Sequence, residues 1–317
     1  MNPIVLSFYW NITKKTVAKF FEDDIFTHAA ALAYYTALSL APMLLVIIYT
    51  ATQFYSKAEV ENALYGEIGK LVGTDAAIEI SKALENFEVF SPSIWATILG
   101  VGLLVFTATT VFITMQNALN KIFKVKPKAV GLGILKLIRD RLLSFSVLVG
   151  IAFIMLVSLS VNAVITALSE RLENVIGGVS LLLTQIASFI LPLLIITLLF
   201  AMIFKFLPDA KVDWRDTWIG AGVTAVLFSI GRYLIGFYIG NSNVAGLYDT
   251  AGSIMVIMVW VFYASLIVLF GAVFTYVYAD SMNSGIKPSD YAVRVEVKEV
   301  VTAEGKEAEV DQEEKMK

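Results

Sequence analysis

Residues 22–49 read EDDIFTHAAALAYYTALSLAPMLLVIIY. Three acids open the stretch, and almost no charge follows for about 25 residues, the length a helix needs to cross a hydrocarbon core roughly 30 Å thick. Ala29, Ala33, Ala37 and Ala41 recur at every fourth position, a small-residue stripe that lets a second helix come close. His28, Tyr35, Ser39 and Pro42 fall near another stripe. A lone anchor surrounded by lipid has no use for either stripe, whereas a helix inside a bundle does. The acids Glu22, Asp23 and Asp24 suit the positive end of the helix dipole.

The rest of the chain has the same character. Apolar residues make up 58% of the 317, charged ones 16%, and mean hydropathy is +0.76. Soluble domains sit near half apolar and a quarter charged, so most of this chain is expected inside a membrane. There is no cysteine and one histidine, so neither a disulfide framework nor a thiolate metal site can form. The net charge of −3 gives no reason to expect a nucleic-acid partner. The N-terminus lacks the basic-then-apolar order of a signal peptide.

Hydropathy predicts an all-α, polytopic membrane protein with six spans, near 27–54, 93–119, 142–168, 179–206, 217–240 and 250–279. Lys and Arg then set the orientation. Lys14, Lys15 and Lys19 precede the first span, and Lys121, Lys124, Lys126, Lys128, Lys136, Arg139 and Arg141 follow the second. Lys205, Lys211 and Arg215 follow the fourth, and Lys287, Arg294 and Lys298 the sixth. The loop over residues 55–92 on the other side carries three lysines and seven acids. All basic segments thus share one side, which places both termini in the cytoplasm. The organisation expected is an amphipathic interfacial segment over 1–26, a six-helix domain over 27–280 and a polar, partly disordered tail over 281–317. The first segment reads equally as a helix lying on the membrane or as one packed on the bundle. Loop 55–92 reads as two amphipathic helices, and Val293, Val295 and Val297 give a weak strand signal in the tail.

Within the spans, polar side chains are the informative ones. Thr107, Thr110, Thr114 and Asn117 share one face of the second span, with Gln116 and Asn120 beside them. They read either as hydroxyls bonded back to their own helix or as a cavity lining. Arg232 sits inside the fifth span, where a cation needs a partner or water, with Tyr233 next to it and Asp249 the nearest acid by topology. Gly236 and Gly240 form a GxxxG packing face. Pro42 and Pro192 are the prolines deep in spans, in the first and the fourth, and both are expected to bend their helices. Matched interruptions three spans apart are what an inverted 3+3 repeat shows, and such repeats hold a substrate near mid-membrane.

Three separated stretches, FFEDDIFTHAAALAYYTALSLAPMLL, LPDAKVDWRDTWIGAGVTAVLF and LYDTAGSIMVIMVWVFYASLIVLFGAVFTYVYA, occur in order and resemble the YihY/BrkB family of bacterial inner-membrane proteins. The resemblance implies a six-helix protein of the cytoplasmic membrane, in a family that has carried the labels virulence factor and ribonuclease BN. Two positions depart from the family pattern. Asp249 stands where members have glycine, and Val273 where they have glutamate. The nuclease label conflicts with the residues: metal-dependent hydrolysis needs clustered His, Asp or Glu, and this chain has a single histidine. No enzyme activity, metal or cofactor is therefore expected, and no nucleic-acid partner. The functional expectation is a transporter-like permease for an anionic or amphipathic solute or lipid. Its substrate-binding residues would be His28, Tyr35, Ser39, Thr110, Thr114, Asn117, Arg232, Tyr233 and Asp249. The alternative is a non-transporting membrane scaffold. Membrane lipids are the expected partners, and a homo-oligomer is compatible.

Overall fold

The structure, a computed structural model, describes residues 3–52, 56, 59, 94–128, 179–241, 252–282 and 284–295. The expected span 142–168, nearly all of loop 55–92, and Asp249 lie outside these residues, as do the side chains of Ala41, Pro42 and Gly240. Six helices are described: α1 (Pro3–Glu22), α2 (Ile25–Ala51), α3 (Ile94–Ile122), α4 (Val179–Phe206), α5 (Trp214–Asn241) and α6 (Gly252–Ser281). Among the described residues, α5 over Trp214–Tyr238 and α6 over Met255–Ser281 are long and apolar enough to cross a membrane by length and composition, with a shorter apolar helix over Pro192–Phe206.

The α6 helix is the hub. It packs against α5, α2 and α1, while α3 lies along α2 and α4 along α5. Small residues explain the closeness. Ala29 is 0% and Ala33 2% exposed, so the predicted stripe on α2 is a buried packing face over these two positions. The α5–α6 crossing is tighter still. A Cβ on Gly220 would fall 1.9 Å from Thr275 Oγ1, and one on Gly271 would fall 1.8 Å from Thr224 Oγ1. Each helix thus presents a glycine to the other's threonine. Each threonine is quiet in turn, because its hydroxyl donates to its own helix: Thr224 to the Gly220 carbonyl at 2.7 Å, Thr275 to that of Gly271 at 2.8 Å. Among the described residues, the α5–α6 contact does not run through Gly236 of the expected GxxxG face. A Cβ on Gly236 would meet nothing within 4 Å, and the close approaches of α5 are at Gly220 and at Gly231, which faces Tyr263 and Ile267. Spacing identifies a face able to pack, but the rotation of the helix decides which face does.

One face of α1 packs on the bundle and another stays exposed. Ile12, Thr16 and Phe20 are buried, and the Phe20 ring meets Phe270 of α6 edge-on at 5.5 Å. Trp10, Val17 and Phe21 stay exposed on the same helix, with Lys14 5.4 Å from the Trp10 ring centre. A tight turn through Asp24, whose φ is +53°, leads into α2. Asp tolerates this left-handed conformation better than most residues. Pro192 lies inside α4 with its ring exposed, and α2 runs on through position 42.

The polar tail adds β structure to the helical bundle. Strand β1 (Val125–Pro127) pairs antiparallel with β4 (Ala292–Arg294), and β2 (Ala210–Lys211) with β3 (Lys287–Pro288). The Val295 N–H also donates to the Lys124 carbonyl at 2.9 Å. Residues 284–295 therefore form a strap across the basic end of the bundle, tied to the segments that follow α3 and α4. The weak alternation at Val293 and Val295 belongs to this strap, and this part of the tail is ordered.

Candidate functional site

Exposed aromatic residues mark two levels along α5. Trp214 and Trp218 are exposed at its basic end, and Tyr233, Phe237 and Tyr238 at the other. Trp218 and Tyr233 are about 15 residues apart, roughly 22 Å, and Trp214 and Tyr238 about 24 residues, roughly 36 Å. The two levels bracket a hydrocarbon core of roughly 30 Å, and Trp and Tyr favour its boundaries.

Arg232 belongs to the far level. It lies about six residues, roughly 9 Å, from Tyr238 along the axis. Its side chain is partly buried, and the guanidinium sits 5.3 Å from the centre of the Tyr233 ring, which is itself 68% exposed. Arg232, expected inside the fifth span, thus stands on the flank of α5 in the half away from the basic end. An arginine at this depth can reach headgroup oxygens with its tip while its stem stays in the apolar zone.

The other expected residues spread over the bundle. His28 is in the first turn of α2 at the basic end, partly buried, its backbone N–H donating to the Asp24 carbonyl at 3.3 Å. Tyr35 meets Tyr34 edge-on at 5.5 Å, and Ser39 donates to the Thr36 carbonyl at 2.8 Å. Thr107, Thr110 and Thr114 each donate to the carbonyl four residues back, at 2.9, 2.9 and 2.7 Å. Asn117 is exposed. The α3 face is thus made of hydroxyls already bonded within their own helix, which leaves it only mildly polar. The described geometry does not gather His28, Thr110, Thr114 and Arg232 at one place: the first and last lie at opposite ends of the bundle.

A second polar centre escaped sequence reasoning. Asp209 follows α4 and is 5% exposed. Asn120 Nδ2 donates to its Oδ2 at 2.8 Å, Gln116 Nε2 to its Oδ1 at 3.3 Å, and the Asp209 N–H donates back to Asn120 Oδ1 at 2.7 Å. The Asp209 carbonyl accepts the Ser289 N–H at 3.0 Å. Asp216, also buried, accepts the Ser284 hydroxyl at 2.6 Å. Two buried acids thereby hold the strap against the ends of α3 and α5. An available signal was the pair Gln116 and Asn120, one turn apart on α3; nothing local named Asp209 as their partner.

Lysines surround this end. Lys121 pairs with Asp24 at 2.8 Å, Lys211 with Asp290 at 2.6 Å and Lys19 with Asp23 at 2.5 Å. Lys19 and Lys124 stand 4.8 and 5.8 Å from the Tyr276 ring centre, and Lys205 donates to the Val212 carbonyl. The Asp24 carboxyl is held below its ordinary value first by the Lys121 hydrogen bond, then by that ammonium's charge; Lys211 acts likewise on Asp290.

A UPF0761 membrane protein of Psychromonas ingrahamii is 29% identical over 79% of this chain and 82% of its own length. UPF0761 membrane proteins of Ralstonia nicotianae and Albidiferax ferrireducens are 28% and 26% identical over 83% and 89% of this chain. The chain spans 59% and 65% of those two relatives. No solved structure matches. The family model described as Virulence factor BrkB matches residues 16–294, from α1 to the end of the strap. The chain is a bacterial membrane protein and belongs to the Virulence factor BrkB family.

Proposed function

We propose that the protein is a transporter-like permease that engages an anionic amphiphile, a lipid or a solute with an acidic head and an apolar body, on the far half of α5. The observation that carries this reading is Arg232. It is a partly buried cation stacked on an exposed tyrosine, with exposed Leu234, Phe237 and Tyr238 around it. A cation beside an exposed aromatic flank attracts an acidic head, and the flank receives the apolar body. In this reading the bundle has six spans built as an inverted 3+3 repeat, with Pro42 and Pro192 at equivalent places. Tyr35, Ser39, Thr110 and Thr114 supply a mildly polar interior, and membrane lipids are the natural partners. The reading includes no catalysis and no cofactor.

Reconstitution into liposomes tests it, with acidic amphiphiles and fluorescent lipids as probes. The parent is expected to move one class above the protein-free rate, and Arg232→Gln to slow it roughly tenfold or more, the factor that losing one charge-assisted hydrogen bond implies. A transported probe whose flux is the same in Arg232→Gln would remove the arginine from the reading. Folded protein that moves none of the probes favours the second reading, a membrane scaffold. The hydroxyls closed onto their own helices and the strapped basic end support that alternative.

A further inference from the structure

The strap and the segments paired with it carry a strongly charged face. Lys126 stands exposed in β1, with Lys124 and Lys128 exposed at its two ends, while Val125 is buried. Lys211 of β2 and Lys287 of β3 are direct cross-strand neighbours, and both are exposed. Like charges directly opposite each other destabilise a ladder. Arg294 of β4 is exposed as well. Against these six cations, the strap and its partner strands hold one acid, Asp290. It is already engaged: its carboxylate accepts Lys211 Nζ at 2.6 Å and its carbonyl accepts Lys128 Nζ at 2.9 Å. Lys126, Lys287 and Arg294 have no ion-pair partner among the described residues.

The sequence that follows the strap is complementary in charge. It departs at Val295, whose N–H is bonded to the Lys124 carbonyl, so residue 296 begins beside the basic face. Residues 304–314 read EGKEAEVDQEE, six acids and one lysine. The eight residues between, 296–303, can reach up to roughly 26 Å. That is ample for a face whose strands are two or three residues long. One exposed ion pair contributes little. A tether, however, raises the effective concentration of the acids to about millimolar, and several pairs then form together.

We propose that the acidic segment 304–314 docks on the basic face of the strap, β1 and β2, and keeps other anions off it. This is independent of the reading of the α5 flank.

The test uses the full chain in micelles of uncharged detergent. The chain has no cysteine, so Val310→Cys takes a single spin label. Its spectrum is expected to be that of a restrained label in low salt. It should become that of a mobile one in about 1 M salt, where the screening length is about 3 Å. Combining Lys126→Gln, Lys287→Gln and Arg294→Gln should free the label in low salt. A label mobile in low salt, or a restraint that survives either the salt or the triple variant, overturns the proposal. Binding of fluorescent polyglutamate gives a second measurement. Replacing the five glutamates of 304–314 by Gln and Asp311 by Asn should strengthen it roughly tenfold, as uncovering a face about nine-tenths occupied would. Equal binding by parent and neutralised variant overturns the proposal. Phosphatidylglycerol bound alike by both, with polyglutamate bound by neither, assigns the face to lipid headgroups instead.

Discussion

Replacing Gly271 by alanine probes the α5–α6 crossing on which the bundle's hub depends. The new Cβ would sit 1.8 Å from Thr224 Oγ1 and 2.8 Å from both Thr224 Cβ and Cγ2. Ordinary contact begins near 3.4 Å, so the hydroxyl is about 1.6 Å too close. Rotating the threonine cannot clear the clash, because its Cβ is also too near and does not move with the rotation. Thr224 is fully buried as well, with no empty side to turn into. The helices must separate, at a cost typical of overpacking, about 1–3 kcal/mol. At roughly 2–4 °C per kcal/mol for a chain of this size, the midpoint of thermal unfolding in detergent should fall by roughly 2–12 °C. Thr224→Gly alone should also destabilise, by roughly a few tenths of a kcal/mol of helix propensity plus lost packing. In the double variant the clashing atoms are gone, so it should be more stable than the sum of the two changes by about 1 kcal/mol or more. Intrinsic fluorescence during a thermal ramp reads all three variants. A Gly271→Ala protein that unfolds within about 1 °C of the parent, or a strictly additive double variant, would refute the reasoning.

The polar centre and the basic rim make two further predictions. Asn120→Ala removes two hydrogen bonds from Asp209 and leaves that buried acid short of partners, at about 1–3 kcal/mol. Exchange of the Ser289 and Val295 amides should then accelerate, and unchanged protection there would show that Asp209 does not hold the strap. Lys121→Ala should raise the Asp24 titration midpoint toward the ordinary carboxyl value, because Lys121 is the main cause of its depression. In the parent, this pair stabilises the fold at neutral pH, and the contribution is lost as pH falls through the depressed folded midpoint. Both groups are exposed, so added salt should shrink the effect. Carbon-13 NMR of the labelled carboxyl reads the midpoint, and an identical titration in parent and variant would exclude Lys121 as the cause.

Much of the helical framework was legible because it depends on local quantities. Apolar run length located α2, α3, α4, α5 and α6 to within a few residues, and fourth-position alanines identified the buried face of α2 at Ala29 and Ala33. Both follow from fixed helix geometry: 1.5 Å per residue against a fixed membrane thickness, and 3.6 residues per turn.

What the chain could not reveal by itself were choices between distant partners. Spacing could not tell which glycines of α5 meet α6; the rotation of the two helices puts Gly220 and Gly231 of α5 and Gly271 of α6 in that contact, and leaves Gly236 out of it. Asp209 reads as an ordinary loop acid until α3 brings Asn120 to it, and the strap has no meaning until β1 and β2 supply its edges. Arg232 could be recognised as a cation in an apolar helix, but only the folded chain shows it partly buried beside the exposed Tyr233. Helix formation is decided within a few turns of chain. Packing faces, buried hydrogen bonds and depth are decided by residues far apart in sequence, and only the folded chain sets how those meet.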